Sequence, residues 1–75
     1  FTYLINTGTA VTVTLPAVSA NAAIVFKDST GTAATNNITI NRSGTATIDG
    51  ATSQAVGSNY GSMKLISDGT DWFIT

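Results

Sequence analysis

The chain has no cysteine, no histidine and no glutamate, and only one proline in 75 residues. Without cysteine no disulfide can staple it, and without cysteine, histidine or glutamate a conventional structural zinc site is excluded. Charge is scarce as well: 9% of the residues are charged, against roughly 25% in an average soluble domain. Its cations are Lys27, Arg42 and Lys64, and its anions are Asp28, Asp49, Asp68 and Asp71. Three scattered cations do not make the basic stripe of a nucleic-acid binder, nor the polybasic cluster that holds a protein on anionic lipid. The longest apolar run, Ala22 to Phe26, is far short of a membrane span. No secretory signal pattern opens the chain. Partners of those kinds, nucleic acid and membrane, are therefore not expected.

Size sharpens the problem. A chain this short buries only about 60% of the surface its unfolded form exposes, so a lone domain is marginal. With disulfides and zinc gone, oligomerisation is the common device that remains. The chain starts at Phe1, without an initiator Met and directly in strand-like sequence. It reads as one β module over 1–75, a fragment of a longer fibre-like polypeptide.

What is present is Thr, Ser and Asn between β-branched and aromatic residues, a composition suited to pleated surfaces rather than to disorder. Apolar residues alternate with period two. Val11, Val13 and Leu15 alternate with threonines up to Pro16, which lacks the donor to continue a ladder. Similar alternation covers Ile24 and Phe26, Ile38 and Ile40, Ala46 and Ile48, Met63 and Leu65, and Trp72 and Ile74. No window carries a helical repeat, although Ala17 to Ala23 could form one helical turn or a loop. The pattern predicts an all-β fold, a small β-sandwich or prism of about six to eight short antiparallel strands.

Turn chemistry divides these strands. Ser67-Asp68-Gly69-Thr70 is the clearest signal, since Asp-Gly tolerates the positive φ angles of a type I′ hairpin. Closure there predicts pairing of Leu65 with Trp72 and Met63 with Ile74, four large apolar groups on one face. A phrase recurs at Thr7-Gly8-Thr9-Ala10, Thr30-Gly31-Thr32-Ala33, Ser43-Gly44-Thr45-Ala46 and Asp68-Gly69-Thr70-Asp71. Its unequal spacing argues against a solenoid and for one turn solution reused.

Candidate chemistry is thin. Asp28-Ser29-Thr30-Gly31 has one residue too many for the aspartic-protease turn, so Asp28 reads as a turn cap. Gly57 to Lys64 has the wrong spacing for a phosphate loop and reads as a loop entering a strand. Asp68 and Asp71 flank the hairpin tip, but two carboxylates are too few for a dedicated calcium site. Acid–base work by paired carboxylates has four aspartates to draw on, and three of them, Asp28, Asp49 and Asp68, sit in turn contexts. Neither a catalytic residue, a metal ligand nor a cofactor is expected, and the chain reads as a non-enzyme. Among Phe1, Tyr3, Tyr60 and Trp72, which could stack on sugars, Trp72 belongs to a core or interface. Tyr60, in a Gly- and Ser-rich loop, is the better exposed. No binding residue is assigned.

The ordered set of motifs is more specific than any one of them. Val11–Pro16, Ile24–Asp28, Gly31-Thr32-Ala33, Asn37–Ile40, Ala46–Gly50, Tyr60-Gly61-Ser62 and Ser67–Ile74 follow one another over nearly the whole chain from Thr9. In that order they resemble a module of phage tail fibres, tailspikes and related virion proteins. The resemblance implies a structural and adhesive module on a phage tail appendage in the virion. It further implies a homotrimer that displays toward a bacterial surface receptor, with a surface glycan as the possible partner. Two alternatives stay open. One is the terminal trimerisation piece of a polysaccharide-depolymerising tailspike whose active site lies elsewhere. The other is a bacterial extracellular adhesin or filament subunit.

Overall fold

A computed structural model describes residues 2–75 and contains seven strands and, among those residues, no helix. They are β1 (Thr2–Ile5), β2 (Val11–Thr14), β3 (Ala20–Asp28), β4 (Ile38–Asn41), β5 (Ser53–Val56), β6 (Ser62–Asp68) and β7 (Trp72–Ile74). One sheet has the order β1-β3-β6-β7 and the other β2-β4-β5. Inward residues of both sheets meet in one core. Ile24, Phe26, Leu65 and Trp72 come from the first sheet, and Ile38, Ile40 and Val56 from the second. The all-β sandwich expected from period two is thus what the chain forms, and alternation is sharpest in β6, where every second side chain is buried.

The strands are not all antiparallel, however. β1 runs parallel to β3 and β2 parallel to β4, while the other three pairings are antiparallel. Parallel neighbours need a crossover rather than a tight turn. Here the chain supplies it by changing sheets: β1 and β3 share one sheet, and β2, between them in sequence, lies in the other. Short alternating segments look the same in either direction, so periodicity alone cannot report this.

The segment Ala17 to Ala23 forms no helical turn; it is a loop followed by the start of β3. Asn21 at φ 60° sits in a register irregularity between Ala20 and Ala23. Buried Ser67 secures that irregularity, its hydroxyl donating to the Ser19 carbonyl and accepting from the Ala22 N–H at 3.2 Å.

The β6–β7 hairpin forms with a register different from the expected one. Leu65 pairs with Ile74, Ile66 with Phe73 and Ser67 with Trp72. Gly69 has φ 97°, but Asp68 has no positive φ, so these two are not the centre of a type I′ turn. Asp68 instead precedes the turn and caps it, Oδ1 accepting from the N–H groups of Thr70 and Asp71, each at 2.9 Å. Met63, Leu65 and Trp72 are buried on the shared face, while Ile74 at its rim is 38% exposed. The two positive φ angles of a type I′ turn occur at Asp49 (50°) and Gly50 (81°). That turn is closed by reciprocal Ile48–Ala51 backbone hydrogen bonds of 2.8 and 3.0 Å. Ala46 and Ile48 form no named strand; Ile48 makes isolated bridges to Ala51 and Trp72. The recurring Thr-Gly phrase is one solution only in part: Gly31, Gly44 and Gly69 have positive φ, and Gly8 does not.

Candidate functional site: a buried carboxylate where three loops meet

The alternation that turns Ile24 and Phe26 inward also turns Asp28 inward, at the end of β3, where its exposure is 0%. A charged side chain so placed needs hydrogen bonds to every oxygen. Residues 29–33 supply them by wrapping around it. Oδ1 accepts from the Thr30 and Gly31 N–H groups, both at 3.0 Å, and Oδ2 from Ala33 N–H at 3.0 Å. Tyr60 N–H, from the loop before β6, reaches Oδ2 at 2.9 Å, and the Thr7 hydroxyl, from the β1–β2 connection, reaches Oδ1 at 2.8 Å. Of the four residues whose amides point at the carboxylate, Gly31 (φ 90°) and Tyr60 (φ 57°) have positive φ.

Thr7 is itself fully buried. Its carbonyl accepts from the Thr32 hydroxyl at 2.6 Å and from the Asn36 amide at 2.8 Å, and its N–H donates to Thr30 Oγ1 at 3.3 Å. Two copies of the recurring phrase, at Thr7 and at Thr30–Thr32, therefore meet at Asp28. Sequence reasoning marked Asp28 as a turn cap, which it is. It missed Thr7 and the depth of the site, although the inward parity of Asp28 on β3 was a readable signal.

Burial raises the Asp28 carboxyl pKa, while hydrogen bonds from Gly31, Thr7, Tyr60 and Thr30 lower it and prevail. The group is held well below the usual carboxylate range. It is compensated by oriented neutral donors, an anion-binding nest built for a side chain of the same molecule. A carboxylate offers about four lone-pair sites, and five donors already occupy it. A general base or metal ligand needs a lone pair to spare. Asp28 has none, so what this arrangement can do is fasten loops.

The other aspartates are scattered and occupied. Asp49 Oδ1 accepts from Ile74 N–H at 3.2 Å, and Asp71 Oδ1 from the N–H and hydroxyl of Thr47 at 2.8 and 3.1 Å. Asp68, capping its own turn, has its pKa lowered by the Asp71 and Thr70 N–H groups. Among the described residues no three potential metal-ligating side chains gather. Residues 57–61 form a loop that enters β6 at Ser62.

Trp72 is fully buried, in the core. Tyr3 stacks on Phe26 with ring centroids 5.5 Å apart. Tyr60 is 60% exposed, and its ring lies over Gly31 so closely that a Cβ there would sit 2.5 Å from it. Phe1 lies outside the described residues. Two surface hollows, of about 380 and 320 Å³, are lined by uncharged residues and do not include Asp28.

A family model described as Bacteriophage T4 gp9/10-like protein, N-terminal, matches residues 2–72. Comparison with curated proteins returns no match.

Proposed function

Because the chain belongs to the family of bacteriophage T4 gp9/10-like protein N-terminal regions, we propose that it is a non-enzymatic module of a phage tail appendage that works as a homotrimer. Membership gives a phage structural role and a virion-associated location, in line with the resemblance read from the motifs. The observation that carries the rest of the reading is the Asp28 junction. The most elaborate polar arrangement among the described residues is spent on the chain's own loops, and its carboxylate has no acceptor capacity for a substrate. Trimerisation follows from the size argument: a 75-residue chain with no disulfide has a marginal core. Assembled copies would display toward a bacterial surface receptor, and a glycan would be held through several weak contacts at once. Tyr60, the most exposed aromatic ring among the described residues, would make such a contact.

Sedimentation equilibrium of the chain at micromolar concentration tests the assembly. The expected mass is three copies, or a multiple of three. A well-folded monomer overturns the reading.

A further inference from the structure

The outward face of the β1-β3-β6-β7 sheet is unusual for a solvated surface. Across its middle, register sets Ala23, Ile66 and Phe73 side by side on β3, β6 and β7. Ile66 is 41% and Phe73 40% exposed, with Val25 half-buried beside this row. Along β6 the exposed positions after Ser62 read Lys64, Ile66, Asp68. Neighbouring outward positions of a strand are about 7 Å apart, so a cation and an anion stand at equal distances either side of Ile66. A stripe of that kind is complementary to itself when reversed.

We propose that this face is a self-association surface on which a second copy crosses the first antiparallel, Ile66 against Ile66. About a two-fold axis through Ile66, Lys64 of each copy faces Asp68 of the other, and the Ala23–Ile66–Phe73 rows close over one another as in the aligned packing of two sheets. A parallel arrangement would instead bring Lys64 near its own copy, which like-charge repulsion opposes. The occupant is thus a second copy of this chain in one orientation. This contact goes beyond the trimer. An isologous two-fold contact cannot close a three-fold ring, so it joins two single chains or two trimers.

Sedimentation equilibrium separates the two ideas. Two or six copies support the contact, six supporting the trimer as well, whereas one or three copies overturn it. Ile66→Lys places two cations at the axis and is expected to halve the assembled mass, weakening association on the order of 100-fold. Lys64→Glu, which sets acid against Asp68, is expected to weaken it about tenfold. Both side chains point outward, so Trp72 fluorescence and the melting of the dilute protein should match the parent. Retention of the parent mass by Ile66→Lys overturns the proposal. Should that variant fold poorly, a dilution series of the parent followed by NMR reads the same surface. Shifts at Ile66 and Phe73 support the contact, and shifts confined to other faces overturn it.

Discussion

Asp28 shows how one residue can be fixed by three pieces of chain, two of them distant in sequence. Its five donors come from its own following loop, from Thr7 and from Tyr60. Asparagine at this position keeps the shape but presents an N–H₂ group to backbone N–H groups in either orientation. Asp28→Asn is therefore expected to lower the melting temperature at neutral pH more than any surface substitution, as a thermal melt by circular dichroism will report. The pH dependence has a definite sign. The folded-state pKa lies below the ordinary value of 3.8, so the stability Asp28 contributes is fully present well above 3.8 and is lost as pH falls through that value toward the folded one. Acid titration of the parent should show this loss. Asp28→Asn should flatten the profile to the smaller slope of the same sign that comes from Asp68. Glycines around the junction differ in the same concrete way. A Cβ at Gly61 would lie 2.7 Å from the Ser58 carbonyl oxygen, so this is no plain loop position. At Gly57 the nearest atom is 3.6 Å away. Gly61→Ala should cost about 1–3 kcal/mol, and Gly57→Ala should change stability by less than about 1 kcal/mol, both read from denaturant melts.

Among the elements, β2, β4 and the inward residues of β3 and β6 were legible because a half-buried strand must alternate, and Val13, Ile24, Phe26, Ile38, Ile40, Met63 and Leu65 do. Strand β5, Ser-Gln-Ala-Val, was not, since only Val56 is fully buried and its identity as a strand rests on pairing with β4. Direction and sheet membership were not legible either, for they depend on crossings between sheets. The β6–β7 turn was located correctly and its register was not. Asp68 can serve either as a central turn residue with positive φ or as a cap placed before the turn, and the sequence Asp-Gly permits both. Hydrogen bonds from Thr70 and Asp71 to Oδ1 select the cap, which moves every pair along. Gly69 keeps its positive φ of 97° all the same, so Gly69→Val remains costly, on the order of 1–3 kcal/mol as strained backbone. A one-residue slip would turn Leu65 and Trp72 out of the core. A thermal melt of Gly69→Val indistinguishable from that of the parent would mean that this turn does not set the register.

On the scale of the whole molecule, the two sheets share one core, and Trp72 belongs to it. It is the chain's only tryptophan, fully buried, on the last strand of the first sheet. Its backbone bridges to Ile48, its N–H donating to the Thr47 carbonyl at 2.8 Å and its carbonyl accepting from Asp49 N–H at 3.0 Å. The 47–49 segment thereby covers the β7 edge that would otherwise invite pairing with another chain. Unfolding should then be a single transition, with Trp72 fluorescence and far-ultraviolet circular dichroism coinciding. Truncation at this point should be severe: Trp72→Ala is expected to cost about 3–5 kcal/mol, enough to leave a marginal module largely unfolded. Phenylalanine is a more telling change. The indole Nε1 finds no acceptor among the described residues, so Trp72→Phe loses volume without losing a hydrogen bond and should cost only about 1–2 kcal/mol. Urea melts of the two variants test the difference. If Trp72→Phe proves as damaging as Trp72→Ala, the indole N–H has a partner in solution. If the optical probes separate in the parent, the two sheets do not share one core.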